Sequence, residues 1–421
     1  MKNRTVLTAF IFGFALLTTQ ARAQYNSFAD ETPEQVGSDS PESEAEPSFQ
    51  PTLTGSWGGI REYLMRGGFS VEGSYRADAI VHRRFTPAIA HNLDLKLAVD
   101  LNELLGWNGA ALEFCTLGND GSEPSGPIGV AQAVSSIETT PDMRLYTAAL
   151  RYAFLDDAAS VLVGLYDLNS EFCVLEAASP FLNSSFGIGP EIAQTGEAGP
   201  SIFPVTSAGV RLMASPWEGW TIAGAVLDGV PGSPLAETGT HVEFNAGDGV
   251  LFAAEIAHTP ESAVATKIGI GLWGYTSAFE DLAECTAEGN AVCRRDNAGL
   301  YAIAEGPIAG EGISAFFRVG TANANVNRFD LSVAGGFNIA SVFNEGDIAA
   351  IGFSTARNGW KYRSVGAPET LASETVIEAT YQTPLTSWLT IQPDIQLFFA
   401  PDGDAARATE VVGGLRISML F

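Results

Sequence analysis

Apolar and polar positions alternate along most of this chain. Phe69, Val71, Tyr75, Ala77, Ala79 and Val81 fall on one alternate set, and Ser70, Glu72, Ser74, Arg76 and Asp78 on the other. Leu93, Leu95, Leu97, Val99 and Leu101 oppose Asn92, Asp94, Lys96 and Asp100 in the same way. The contrast returns at 313–319, 329–339, 377–382 and 389–399. A strand points successive side chains to opposite faces, so each run predicts a strand with one apolar face. About sixteen runs of about ten residues can be counted, separated by turns or loops. Helical spacing is sustained nowhere, and 101–106 reads as a turn. The final run puts Leu415, Ile417, Met419 and Phe421 on one face and Gly414, Arg416, Ser418 and Leu420 on the other.

Alternation alone suits a soluble β-sandwich as well as a membrane barrel. The distribution of charge separates them. Isolated charges sit on the polar face of many runs, at Glu113, Arg151, Arg211, Glu255, Arg318, Glu378 and Arg416, while the opposite face carries almost none. Lys or Arg on a lipid face costs about 2–4 kcal/mol at mid-membrane, so lipid contact demands such a clean face. Charged residues make up 17% of the chain, against about 25% in an average soluble domain. No mature segment resembles the apolar span of about 20 residues that a transmembrane helix needs. The predicted class is therefore all-β, a transmembrane antiparallel β-barrel with an even number of strands and no exposed edge.

The first residues predict export. Lys2 and Arg4 precede an apolar core, Val6 to Thr19, and Ala21-Arg22-Ala23 supplies a small-x-small cleavage site. Residues 1–23 are read as a signal peptide, 24–52 as an acidic, proline-containing flexible segment, and 53–421 as the barrel. The net charge of −27 disfavours nucleic acid as a partner, because phosphate contacts need Lys and Arg. In a pore it favours cations over anions.

Catalytic signals are poor. His82, His91, His241 and His258 lack the spacing of a helical zinc pair, and there is no G-x-S-x-G elbow or P-loop. One G-x-G-x-x-G, Gly269 to Gly274, lies inside a strand-like run with no helix after it, so small residues on a barrel strand explain it. Cys285 and Cys293 flank a polar stretch where a disulfide would staple a loop in an oxidising compartment; Cys115 and Cys173 offer a second bridge, although sequence does not fix connectivity. The longest weakly periodic stretch, 171–206, carries its own apolar anchors. It either folds into the pore or packs on the rim. Its candidate constriction residues are Phe181, Asn183, Phe186, Glu191 and Phe203.

Leu53-Thr54-Gly55-Ser56-Trp57-Gly58-Gly59-Ile60-Arg61 resembles the N-terminal signature of the carbohydrate-selective porins of the OprB family, with Ser56 in place of the usual acid. Leu104-Leu105-Gly106-Trp107-Asn108-Gly109-Ala110 is similar to the family's next turn. The stretches 154–157, 164–172, 181–187, 209–212, 227–229, 374–381 and 389–394 continue the resemblance over the whole barrel. Cys173 stands where the family often has an acid, and Cys115 is also unusual, which strengthens the guess that the two bridge each other. The resemblance implies a 16-stranded outer-membrane porin passing sugars and small hydrophilic solutes by passive diffusion. No cofactor, metal or catalytic residue is expected. Outer-membrane lipid, the barrel-assembly machinery and a homo-oligomeric copy are the implied protein and membrane partners. Arg151, Arg211, Glu255, Arg318, Glu378, Gln392, Asp394 and Arg416 are expected to line the solute path. The competing readings are an exported soluble β-sandwich that binds sugars and, from another class, a barrel enzyme.

Overall fold

The computed structural model describes residues 52–233, 238–260, 266–283, 294–309, 312–366, 372–404 and 406–421. The expected signal peptide, the acidic segment apart from Thr52, and Cys285 with Cys293 lie outside these residues. The alternating runs form sixteen strands: β1 (Phe69–His82), β2 (Phe85–Asp100), β3 (Ala110–Gly121), β4 (Asp142–Phe154), β5 (Ala159–Tyr166), β6 (Ser207–Ala214), β7 (Trp220–Asp228) and β8 (Val250–His258). They continue as β9 (Lys267–Glu280), β10 (Arg294–Ala309), β11 (Ile313–Ala322), β12 (Phe329–Ala340), β13 (Ile348–Asn358), β14 (Ser373–Thr386), β15 (Leu389–Phe399) and β16 (Glu410–Leu420). Each pairs with its sequence neighbours, and β1 pairs with β16, closing the barrel. Closure leaves no unpaired sheet edge, which lipid could not satisfy.

The seam depends on both chain ends. Ala77 sits opposite Ile417 and Asp78 opposite Arg416. Beyond the last ladder pair, Phe421 N–H donates to Gly73 O at 2.9 Å, and Gly73 N–H donates back at 2.8 Å. The Phe421 ring lies over Gly73, where a Cβ would come within 2.4 Å of it, so a larger residue here would displace the ring. Leu53 N–H donates to Leu420 O at 2.9 Å, bringing the start of the barrel segment to the seam. Arg61, in the short helix Ile60–Arg66, then ties that segment down. It donates to Thr52 Oγ1 (2.8 Å), Gly55 O (3.1 Å) and Val71 O (3.0 Å), and its guanidinium lies over the Trp57 ring.

The two faces separate as the alternation requires. Leu212, Ile270, Leu300, Phe317, Ile395 and Leu415 are exposed on the outer face, while Arg211, Arg318, Glu378 and Arg416 are buried on the inner one. Phe329 departs from its run and is buried. A register shift between Phe329 and Leu331 explains this, because one extra residue flips a side chain to the other face. The glycines of the G-x-G-x-x-G lie on β9. Gly269 and Gly271 face inward, and a Cβ on Gly271 would meet the Tyr301 ring of β10 at 2.1 Å. Gly271 makes room for that ring, and Gly269 for the Ile303 side chain of the same strand.

The longest connections, 122–141, 167–206 and 229–249, share one end; the other end carries short ones such as 155–158 and 387–388. Short turns face the periplasm and long loops the outside in barrels of this class. The stretch 101–106, expected as a turn, forms the short helix Leu101–Leu105 in a periplasmic connection, capped by the Asp100 side chain.

Asp78 and Arg416 form a bidentate pair across the seam, both bonds 2.7 Å, with neither side chain more than 3% exposed. Removing one partner of a buried pair costs about 3–5 kcal/mol. Asp78→Asn is expected to lower the temperature at which the folded band converts in a heat-modifiability gel. The double variant Asp78→Leu/Arg416→Met is expected to recover part of that loss. Equal conversion temperatures for Asp78→Asn and the native protein would show that the seam does not depend on the pair.

Candidate functional site

The 122–141 and 167–206 loops fold into the lumen, and the polar inner face of the wall holds them there. The 167–206 loop crosses the barrel. Its N–H groups meet wall carboxylates in sequence: Cys173 donates to Glu255 of β8 (2.8 Å), Ala177 to Glu305 of β10 (2.7 Å), and Leu182 and Asn183 to the two oxygens of Glu378 of β14 (2.5 and 3.0 Å). Its carbonyls meet wall donors. Lys267 of β9 donates to Val174 O (2.7 Å), Gln392 of β15 to Pro180 O, and Arg318 of β11 to Ser185 O and Phe186 O. At the loop's start, Glu171 accepts from Arg211 (2.6 and 2.7 Å) and from the Tyr166 hydroxyl (2.6 Å), with Arg151 beside it at 3.6 Å. Arg151 is itself paired with Glu113 at 2.5 Å.

Apolar packing completes the anchorage. Phe181 and Phe186 stack with centroids 4.1 Å apart, and both meet Phe316 of β11 edge-on. Glu191 is buried against β11 and β12, where the Ser332 hydroxyl donates to it. Burial pushes its carboxyl above the usual range, and the nearby Arg318 pulls it back.

The 122–141 loop plugs the lumen beside the seam. Ala131 N–H (2.9 Å) and Gln132 N–H (2.9 Å) donate to Glu374 of β14, and the Ser135 hydroxyl to Asp78 (2.6 Å). Gln396 of β15 donates to Val134 O at 2.8 Å, and Arg416 donates to Ser136 Oγ at 3.2 Å. Ile128 and Val134 pack with Ile80, Val376, Phe398 and Val412 of the wall. The two loops join through Ser136 N–H to Leu182 O (2.7 Å) and Ser184 N–H to Ala133 O (3.0 Å).

The loops leave a cavity of about 370 Å³ against β1–β5, within the range of about 300–1,000 Å³ that holds small molecules elsewhere. Arg76, Asp94, Lys96 and Glu113 line it from the wall. Ser135, Ser136 and Glu138 line it from one loop; Asp167, Asn169, Asn183 and Phe203 do so from the other. Arg76 and Asp94 pair at 2.7 Å. Tyr146 and Phe203 are half-buried and show it aromatic surface. Burial raises the Glu138 carboxyl to about 7, against the opposing effect of two hydrogen bonds from Ser125. It raises Asp167 to about 6, with the Tyr146 hydroxyl bond opposing.

None of the eight wall residues expected along the solute path lines this cavity. Arg151, Arg211, Glu255, Arg318, Glu378 and Gln392 are engaged with the 167–206 loop or its anchors; Arg416 is engaged with Asp78, and Asp394 accepts from Gln396 at 3.0 Å. Of the five loop residues, Phe181, Asn183, Phe186 and Phe203 border the cavity, and Glu191 lies behind it. The residues missed, Arg76, Asp94, Lys96 and Tyr146, sit on early strands. The first three belong to polar sets already visible in the alternation.

The expected bridge between Cys115 and Cys173 is absent: both are free and buried. Cys115 sits on β3, beside the cavity. Cys173 is fixed by its N–H to Glu255 on β8, a carboxylate also held by the Tyr301 hydroxyl at 2.6 Å. Cys115 therefore belongs to the wall at β3, and Cys173 to the inserted loop where it meets β8. Burial raises the Cys173 thiol to about 12, so it stays protonated.

The fold and the chain both have relatives. The high-pH structure of Pseudomonas putida OprB superposes with a TM-score of 0.78 at 18% identity, covering 90% of this chain and 100% of that one. Its low-pH structure gives 0.59 at 15% identity, with 88% and 98% covered. A loop L8 deletion mutant of Vibrio cholerae OmpT, an outer membrane protein, gives 0.52 at 11% identity, with 84% and 99% covered. At these identities the likeness is one of fold. No curated protein matches the chain by sequence. The sequence profile of the carbohydrate-selective porins matches residues 84–421, and with it the closed barrel and its loop-filled lumen find their place: this chain belongs to the OprB family of outer-membrane porins.

Proposed function

We propose that sugars cross the outer membrane through the cavity between the β1–β5 wall and the two inserted loops, passively and down their gradient. The observation that carries this reading is the arrangement of the lumen. The loops are held along the inner faces of β8–β16 and by Asp78 of β1, and an open cavity is left beside β1–β5. A sugar there exchanges its water hydrogen bonds for others from Lys96, the Arg76–Asp94 pair and the loop hydroxyls. Tyr146 and Phe203 offer flat apolar surface to a pyranose face. No single group binds tightly, which passage requires. The buried wall residues act as positioning residues, fixing the loops that set the width. Family and fold imply a channel rather than an enzyme. Outer-membrane lipid and the barrel-assembly machinery are the further partners in this reading.

Liposome swelling is the direct test. Proteoliposomes are expected to swell faster with monosaccharides than with non-sugar solutes of equal size, and more slowly as sugar length grows. Equal rates for sugars and size-matched non-sugars would reduce the protein to a general porin.

Glu378→Gln leaves one acceptor oxygen where two now serve successive loop N–H groups. A buried donor left without its partner costs about 1–3 kcal/mol. The loosened loop is expected to raise swelling with larger sugars relative to monosaccharides and to add noise to single-channel currents. An unchanged size cut-off with quiet channels would show that Glu378 does not set the width.

The raised Glu138 and Asp167 carboxyls predict a pH effect. Both are ionised in mild alkali. Each becomes neutral as pH falls through its raised value, Glu138 first. Cation preference, read from reversal potentials in a salt gradient, is expected to decline between about pH 8 and about pH 5. Glu138→Gln should flatten the upper part of the curve. A preference independent of pH in the native protein would exclude these groups from the ion path.

A further inference from the structure

The extracellular rim carries a charge imbalance that the solute path does not use. The turn between β1 and β2 presents Arg83 and Arg84, and the 400–409 connection presents Arg407. All three guanidiniums converge on one carboxylate, Glu410, at the start of β16. Arg83 Nε and Nη2 reach its Oε2 at 3.2 and 3.0 Å, Arg84 Nη2 bonds Oε1, and Arg407 Nη2 stands 4.0 Å from Oε1. His82 Nε2 meets the same carboxylate at 3.0 Å. Arg84 and Arg407 also donate to Ile128 O (2.8 and 2.5 Å), and Arg407 to Gly129 O. Elsewhere on this rim Arg328–Asp402 and Arg357–Asp330 each bring one cation to one anion, and Asp281 takes two, Arg295 and Lys361.

The layering of this cluster matters as much as its charge. The Glu410 side chain is fully buried, while Arg83 and Arg84 are 64% and 38% exposed. The anion lies underneath and the surplus cations face outward. Arg83 Nη1, Arg84 Nε and Arg407 Nε have no hydrogen-bond partner among the described residues. Converging guanidiniums repel one another unless an anion offsets them, and their forked donors match the oxygens of a phosphate or carboxylate. In a chain of net charge −27, such a surplus is a local exception. Val81 and Val411, exposed on the outer face of β1 and β16, lie just below. The cluster therefore sits where the lipid-facing wall meets the outer surface.

We propose that Arg83, Arg84 and Arg407 form an anion site at the extracellular rim that takes a phosphate monoester, carried on a lipid headgroup or on a free solute. Glu410 holds the three cations in place from beneath, and the exposed edges of the guanidiniums bind the phosphate oxygens. The site stands apart from the sugar path and does not rest on it.

The experiment uses the purified full chain in non-ionic detergent at low ionic strength, where surface charges are least screened. Inorganic phosphate is titrated by calorimetry. In a parallel arm, micelles doped with phosphatidic acid are compared with micelles doped with phosphatidylcholine. Saturable binding in either arm is expected, and the arm that responds identifies the source. Arg83→Gln, at an exposed residue that touches neither inserted loop, is expected to weaken binding by about tenfold or more. Arg357→Gln, at a one-to-one pair elsewhere on the rim, should leave it unchanged. No saturable binding of phosphate or phosphatidic acid, or equal binding by the native protein and Arg83→Gln, overturns the proposal.

Discussion

The lumen of this porin is governed by the need to satisfy the backbone of two loops pushed inside a barrel. A buried N–H or C=O without a partner costs as much as a lost hydrogen bond. The 167–206 loop has little regular structure of its own, so the wall must supply partners. It does so with polar side chains at intervals around the barrel: Glu255, Glu305 and Glu378 accept from loop N–H groups, and Lys267 and Arg318 donate to loop carbonyls. These bonds decide where the loops lie, and so which sector of the lumen stays open. Hydrogen bonds to charged groups are the stronger kind, which suits a segment that must hold its shape against water.

The same requirement explains the two-sided character of the strands. Outside, lipid admits apolar side chains and no unpaired edge. Closure through Phe421, Gly73 and the Asp78–Arg416 pair removes the last edge. Inside, the wall needs charge to hold the loops, and those charges are buried by what they hold. A polar inner face thus does not by itself mark a water-filled path. Many of its charged residues lie under protein, and the cavity described here faces the β1–β5 sector.

Charge is also sorted along the axis. The rim of β1, β2 and β16 gathers three arginines over one carboxylate, while the cavity below mixes the Arg76–Asp94 pair with Lys96, Glu138 and Asp167. A chain that is strongly acidic overall can still present a cationic surface at one edge. Net charge predicts its far field and not its sites.

The strands, their faces and the closing role of the last one were legible in the sequence, because side-chain alternation is local and lipid tolerates few exceptions on the outer face. Phe329 escaped this reading, since a bulge is a backbone event that leaves no mark on composition. The inward charges, Glu378 and Arg318 among them, were also legible as inward. Their partners were not. Glu378 meets Leu182 and Asn183 across 195–196 positions of chain, and no local pattern records such a distance. For the same reason Cys115 and Cys173, paired by their rarity, lie apart, one on β3 and one on the loop against β8. The sequence by itself determined a barrel with a polar interior. The tertiary structure alone decided which part of that interior is filled, because filling depends on contacts between a loop and strands far away in the chain.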